Sequence, residues 1–233
     1  MDRMTEPASL KARAFRPDWR LRLIWVALAA YVLYAASRLD FTWARFVVGL
    51  DRGQAFLGRM FPPEFTRWEL LVSGLLESLQ IAIIASFIGI LLSLPIGLMA
   101  ARNLMPVVVT VPARALIAVA RSFHPIIIAI IFVKAIGFGA LAGIFALILA
   151  SIGFVAKLFA EAIEEISLKQ VEAVRATGAS FMGVVIMGVL PQVLARFIGF
   201  STYQLDSNLR NSTMVGIVGG GGIGGTLFSA FQR

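Results

Sequence analysis

Few side chains in this sequence are of the kinds that carry out chemistry. His124 is the only histidine and there is no cysteine, so a two-histidine metal site and a thiolate site are both excluded within the chain. A Ser–His membrane protease would need His124 as its base. The surrounding residues, Arg121-Ser122-Phe123-His124-Pro125, are instead typical of a helix start at a basic membrane face. We therefore predict no catalytic residue, no metal and no cofactor.

The glycines near the end of the sequence match a nucleotide-binding pattern in spacing only. Gly219-x-Gly221-x-x-Gly224 resembles the dinucleotide fingerprint, which requires a preceding strand and a later ribose-binding acid. Here an apolar stretch precedes the glycines and no acid follows them, so we reject that interpretation. Two others stay open: close helix packing through small residues four apart, or an irregular segment shielded by protein or water. No P-loop motif occurs either.

The composition indicates which elements position these residues. The chain has 233 residues, of which 59% are hydrophobic and 15% charged, and its mean hydropathy is +0.86. Soluble domains are typically about 45–50% apolar and about 25% charged, so a membrane protein is predicted. The net charge of +8 could indicate nucleic-acid binding. We favour basic anchoring of membrane helices at the cytoplasmic face, with membrane lipid and no nucleic acid as partner.

Five apolar stretches predict an all-α, polytopic bundle, each long enough for a membrane helix or nearly so: 23–37, 75–101, 112–136, 140–160 and 181–205. The first follows a long charged segment, so we interpret it as a span rather than a signal peptide. Proline removes a backbone donor and bends a helix. Kinks are therefore expected at Pro95, Pro125 and Pro191.

Charge asymmetry predicts the orientation. Residues 1–22 and 102–121 are basic, whereas 38–70 is nearly neutral, which places the N-terminus in the cytoplasm. We therefore expect 1–22 to be a cytoplasmic segment and 38–74 a periplasmic or interfacial one. Apolar residues recur at helical spacing from Trp43 to Met60, which is typical of a helix in the membrane interface or of one packed against the bundle.

A charged stretch at 161–180 interrupts the apolar pattern and predicts short helices in water. It leads into Glu172-Ala173-Val174, Gly178 and Gly188-Val189-Leu190-Pro191. This resembles the EAA motif of ABC importer permeases, with Val174 in place of the second alanine and Gly188 in place of an isoleucine. Small residues would let the helix enter a partner's groove, and glycine allows a sharp turn. The alternative is a solvated surface helix.

The resemblance continues from Phe61 to Leu227, where the sequence is similar to the permease subunit of phosphonate ABC importers. The segments that carry it are Ser93-Leu94-Pro95-Ile96-Gly97-Leu98-Met99, Val189-Leu190-Pro191-Gln192-Val193, Ser207-Asn208-Leu209-Arg210-Asn211-Ser212-Thr213 and the glycine-rich stretch that follows. The resemblance implies a type I ABC importer (MetI-like) fold, with 75–233 as its transmembrane domain. It also implies one further membrane helix, which would begin where this sequence stops.

The resemblance implies partners and roles as well. These are a second permease copy (identical or paired), a cytoplasmic ABC ATPase dimer and a periplasmic substrate-binding protein, at a bacterial inner membrane. ATPase coupling would use Glu172, Ala173, Arg175 and Gly178. The substrate pathway would use Asn208, Arg210, Asn211, Ser212 and Thr213, since arginine suits a phosphonate anion.

Several alternatives stay open. Arg210 could instead pair with Asp206, four residues earlier. The substrate could be phosphate, phosphite or an amino acid. The chain could also be a membrane enzyme or scaffold without a transport role.

Overall fold

A computed structural model of the chain describes residues 19–39, 42–59, 61 and 67–231, and every regular element in those ranges is a helix. The chain divides into two compact units, Met1–Glu64 and Phe65–Arg233. The predicted all-α class is confirmed.

The described part of the first unit contains two helices, α1 (Trp19–Arg38) and α2 (Trp43–Arg59). α1 includes the predicted span 23–37 and is long and apolar enough to cross a membrane. α2 has the expected apolar stripe, in which the Trp43 and Phe46 rings lie 5.4 Å apart. Residues 1–18, most of the expected cytoplasmic segment, lie outside the described residues. The place of α2 in the membrane interface stays a prediction.

The second unit is a helical bundle. Its described helices are α3 (Trp68–Ala100), α4 (Val107–Ser122), α5 (Pro125–Ile136), α6 (Ala140–Ser151), α7 (Lys157–Glu164), α8 (Leu168–Ala176), α9 (Phe181–Val184), α10 (Leu190–Ile217) and α11 (Ile223–Phe231). A π-helical turn joins α6 to α7 at Ile152–Ala156, and another joins α9 to α10 at Val185–Val189. Besides α1, three stretches are long and apolar enough to span a membrane: Trp68–Ala100, Ala140–Glu164 and Phe181–Ile217.

α3 lies at the centre of this unit and packs against α6, α7 and α10. Most residues on its buried face are small, so neighbouring backbones approach closely. A side chain at Gly89 would overlap Ser151 of α6, and one at Gly97 would overlap Phe159 of α7. The apolar core on either side of α3 contains Leu147 and Phe159, which are both fully buried.

The predicted span 112–136 is not one kinked helix. The structure has two helices here, α4 and α5, bent by 92° to each other. Proline disfavours helical backbone at the residue before it, and both Phe123 and His124 are extended. The Nδ1 atom of His124 accepts a hydrogen bond from the Ile126 N–H at 3.4 Å. Pro125 therefore begins a new helix, and His124 caps it.

The other two prolines lie within longer helical runs. α3 continues through Pro95 to Ala100, and a kink at Pro95 stays a prediction. Pro191 is the second residue of α10 and follows the π-helical turn Val185–Val189 by one residue. In membrane helices, a local change to π-helical geometry is one way to satisfy the backbone groups that a proline leaves without partners. The helix distortion that the sequence predicts at Pro191 therefore lies next to a π-helical turn.

The helix that contains the polar run is longer than predicted. The expected span ended at residue 205, with the polar run as a connection to the glycines. α10 instead extends to Ile217, so that Asp206 to Thr213 is helical. Two members of the run, Asn208 and Ser212, are fully buried. Asn208 finds its partners on neighbouring helices, whereas the Ser212 hydroxyl donates to the Leu209 carbonyl of α10 itself at 2.8 Å.

Candidate functional site

α8 projects at one end of the bundle and carries the predicted coupling residues. The predicted members Glu172, Ala173, Arg175 and Gly178 are all exposed. Val171 is 2% exposed and holds the opposite side of the helix against the bundle. Gly178 ends the turn with a φ of 79°, a backbone conformation that favours glycine. The exposed side of α8 is therefore free to meet a partner.

The two residues that depart from the EAA motif lie against each other. A Cβ placed on Gly188 would lie 3.6 Å from the Cγ2 atom of Val174. The motif has alanine and isoleucine at these positions, so the larger side chain here is on α8 instead of on the π-helical turn. The bulkier partner has changed sides, and the pair here is smaller than the alanine and isoleucine of the motif.

Charged and polar contacts fix the base of α8 on both sides. Glu164, at the end of α7, accepts hydrogen bonds from the backbone N–H of Arg102 at 2.8 Å and from the Arg114 guanidinium at 2.5 Å. Glu165 pairs with Arg196 of α10 at 2.5 Å. Because the Glu164 and Arg114 side chains are only 28% and 32% exposed, this pair is less screened than the Glu165 pair. We call Glu164, Arg102 and Arg114 the Glu164 clamp.

Further hydrogen bonds reinforce these connections. The Asn103 amide donates to the Ile163 carbonyl at 2.7 Å. The Gln192 side chain accepts from the Ser167 N–H at 3.0 Å and donates to the Gly188 carbonyl at 2.6 Å. The end of α7 and its connection to α8 are therefore joined to α4 and the turn after α3 on one side, and to α10 on the other.

A buried hydrogen-bond network connects three long helices deeper in the bundle. Asn208 of α10 donates to Ser86 of α3 and to Ser151 of α6, each at 2.9 Å. Gln204 donates to Ser151 at 3.1 Å and to the Asn208 side-chain oxygen at 3.0 Å. All four side chains are at most 4% exposed. We call this group the Asn208 network.

The predicted pathway residues do not converge on one point. Asn208 and Ser212 face the interior, whereas Arg210 faces outward and its side chain is 74% exposed. Arg210 donates to Asp206 at 2.8 Å, which is the alternative pairing expected from their spacing. Asn211 bonds to the Ser207 hydroxyl at 3.2 Å. Thr213 is partly buried.

The glycine segment lies against α3 and α6. Gly219, Gly221 and Gly222 all have positive φ. The Gly219 carbonyl accepts from the Gly139 N–H at 2.9 Å, and the Ile223 N–H donates to the Ser78 hydroxyl at 2.9 Å. The segment is thus an irregular turn shielded by protein, one of the two arrangements left open by the sequence.

A cavity of about 620 Å³ opens beside the glycine segment, at the end of the bundle away from α8. Its lining includes Arg67, Glu77, Thr226 and Ser229. Among the described residues, no group of three or more His, Cys, Asp or Glu side chains could hold a metal ion.

The Asn208 network was missed because three of its members, Ser86, Ser151 and Gln204, lie inside apolar runs. Isolated polar residues in such runs are a signal in themselves, since they hydrogen-bond across membrane helices. Ser78, Ser86 and Ser93 recur on one face of α3 and are all buried. That spacing is a sequence signal that this face of α3 packs against other helices.

The family of binding-protein-dependent transport system inner membrane components matches residues 93–233, which include α8, the glycine segment and every member of the Asn208 network except Ser86. The chain belongs to this family. It is therefore a membrane component of a transport system rather than an enzyme. Membership also confirms the predicted family and the inner-membrane location.

Individual relatives of this inner membrane component agree with the assignment. The phosphate-import permease protein PhnE of Mycolicibacterium smegmatis is 41% identical over 90% of this chain, which spans 39% of that protein's length. The phosphite transport system permease protein PtxC of Stutzerimonas stutzeri is 39% identical over a region that covers 94% of this chain and 81% of the length of PtxC. The inward-facing MetNI methionine ABC transporter is a solved structure with a TM-score of 0.64 at 29% identity, over 71% of this chain and 82% of that one. The MetI-like fold expected from the sequence is confirmed.

Proposed function

We propose that the chain forms the translocation pathway of an ATP-driven importer for phosphonate or a related oxyanion such as phosphate or phosphite. The names of PhnE and PtxC refer to phosphate and phosphite, and PtxC aligns over most of both chains. The matched region includes the polar run Ser207–Thr213, on which the phosphonate resemblance of the sequence rests. A cytoplasmic ATPase dimer and a periplasmic binding protein complete the system.

In this proposal, α8 docks on the ATPase and transmits its closure to the membrane. The exposed side of α8 is bounded by Glu172 and Arg175, which offer charges of both signs to a partner. Movement of α8 would reach α3 and α4 through the Glu164 clamp and α10 through the Glu165–Arg196 pair. The cytoplasm then lies at the α8 end, and the charge bias of the sequence favours a cytoplasmic N-terminus.

The substrate contacts fall to the outward side of α10. Arg210 is largely exposed on the isolated chain, although a charged group at membrane depth is costly unless it is paired or lines a water-filled pathway. A second permease copy against this side of α10 would enclose such a pathway. The Arg210 guanidinium would then exchange part of its bond with Asp206 for the oxygens of the passing anion.

Uptake by a reconstituted system tests the proposal. The chain, its ATPase and its binding protein are placed in proteoliposomes, and uptake of radiolabelled phosphonate, phosphite, phosphate and methionine is measured with internal ATP. We expect uptake of at least one phosphorus oxyanion and none of methionine. Uptake of methionine alone would assign the pathway to amino acids. ATP-dependent uptake of none of the four would contradict the proposed oxyanion function.

A further inference from the structure

A second cavity lies between α4 and α7, at the α8 end of the bundle. Its volume is about 300 Å³, and three cations, Arg114, Arg121 and Lys157, line it together with one acid, Glu161. Ile117 and Ala118 of α4 form an apolar part of its wall. Of its lining residues, only Arg114 has a part in the proposed transport cycle, as a member of the Glu164 clamp.

The cations around this cavity exceed the acids that face them. Arg114 is engaged by Glu164 and by the Ala100 carbonyl at 2.9 Å. Lys157 lies 3.3 Å from Glu161, and both side chains are about half exposed, so that their pairing is weak. Arg121 has no ion pair or side-chain hydrogen bond with any described residue. The cavity therefore keeps a positive charge that an anion would neutralise.

The surface next to the cavity indicates the kind of anion. With about 3.6 residues per turn, Arg114 and Arg121 share one face of α4. Val108, Val111 and Val119 follow on the adjoining face, and they are 84%, 59% and 59% exposed. A free phosphate ion has no apolar part that could bind to these exposed valines. A phospholipid combines a phosphate with acyl chains, and basic pockets at the ends of membrane helices bind such headgroups.

We propose that this cavity binds the phosphate of an anionic phospholipid whose acyl chains lie along the exposed valines of α4. The phosphate oxygens accept hydrogen bonds from Arg121 and Lys157, while Arg114 stays with Glu164. The lipid thereby joins α4 to α7 directly beside the Glu164 clamp. The inference does not depend on the substrate or on the ATPase.

Native mass spectrometry of the purified full chain tests the site. The chain is titrated with phosphatidylglycerol, with phosphatidylcholine of the same acyl length and, in a third arm, with inorganic phosphate. We expect selective retention of phosphatidylglycerol. We also expect a loss of affinity of about fivefold for Lys157→Gln, and a similar further loss when Arg121→Gln is added. The matched control is Lys134→Gln, which alters an exposed lysine in the last turn of α5 that does not line the cavity. We expect it to leave the affinity unchanged.

Three results would overturn the proposal: equal retention of the two lipids by the unaltered chain, an equal loss with Lys134→Gln, or displacement of phosphatidylglycerol by millimolar phosphate. The last result would assign the cavity to a free anion. Arg121→Lys with Lys157→Arg keeps both charges and retains binding, which separates loss of charge from loss of fold. The assay measures binding alone, so its failure would leave the transport proposal intact.

Discussion

The side-chain amide of Asn208 in α10 donates a 2.9 Å hydrogen bond to the hydroxyl of Ser86 in α3, a residue 122 positions earlier in the chain. Both side chains are buried, at 0% and 3% exposed. This one bond joins the helix that leads away from α8 to the helix at the centre of the bundle. Ser151 of α6 shares the same amide, so that three long helices meet at one side chain.

Replacement of Asn208 should therefore loosen the bundle. We expect Asn208→Leu to lower the free energy of unfolding by about 1–2 kcal/mol, because hydrogen bonds between membrane helices contribute at most about that much. Asn211→Leu is the control, since Asn211 is partly exposed and bonds only within α10. Thermal unfolding of both variants in detergent is the measurement. Equal unfolding temperatures would show that the network adds nothing to stability.

Adjacent glutamates at the base of α8 should differ in importance. Glu164→Gln removes the charge of the more buried pair and weakens two hydrogen bonds, so we expect a loss of about 1–2 kcal/mol in stability. Glu165→Gln affects a pair whose side chains are 65% and 53% exposed, and we expect less than about 1 kcal/mol. Chemical denaturation compares them, and ATPase rates of the assembled transporter show the effect on coupling. A larger loss for Glu165→Gln would reverse the assignment.

The contact between Val174 and Gly188 predicts a compensating pair. Gly188→Ile inserts a branched side chain against Val174, so we expect destabilisation of about 1–3 kcal/mol. Adding Val174→Ala restores the motif's own combination and should recover at least half of that loss. The unaltered chain, the two single variants and the double variant form a double-mutant cycle, which is measured by thermal unfolding. Strictly additive effects would mean that the two side chains do not share this space.

Docking of the ATPase is expected to depend on Glu172. Glu172→Ala should lower the yield of co-purified ATPase severalfold while membrane insertion stays normal, because the residue is exposed and makes no hydrogen bond or ion pair with the other described residues. Gln170→Ala, also exposed on α8, is the control and should leave the yield unchanged. Wild-type co-purification by the Glu172 variant would exclude it as a docking anchor.

Transport of the anion is expected to depend on Arg210. Arg210→Ala should reduce uptake at least tenfold with little change in unfolding temperature, since the exposed pair with Asp206 adds less than about 0.5 kcal/mol to stability. Arg210→Lys keeps the charge but loses the planar donor pair, and intermediate uptake is expected. ATPase rates are measured alongside uptake. Normal uptake by both variants would leave Arg210 as a helix brace only.

Much of the fold follows from local sequence, whereas the interior polar contacts do not. Long apolar runs and charge bias predict α1, α3 and the exposed α8, since those signals lie within one helix. The end of α10 was misplaced because the polar run looks like a connection locally. Its partners, Ser86 and Ser151, lie 122 and 57 positions from Asn208. Such pairings are invisible to any short window of sequence.

The break before Pro125 has a similar origin. Proline signals a bend in either case, but a kink and a 92° turn differ in the backbone of two residues, Phe123 and His124. Which one forms depends on what the two flanking helices pack against. Here α4 lies against α3 and the π-helical turn Ile152–Ala156, and α5 lies against α6.

The buried face of α3 has a mechanical consequence. Glycine, alanine and serine dominate it from Gly74 to Ala100, and such residues have few or no rotamers. At an interface with so few rotamers, little of a helix displacement is absorbed by rearrangement of side chains. We therefore expect α3, about 50 Å long, to transmit a displacement along its axis with little loss, with Pro95 as its weakest point. One of its ends adjoins the Glu164 clamp and the other lies beside the backbone of Ile223, so that α3 connects the α8 end of the bundle to the glycine segment.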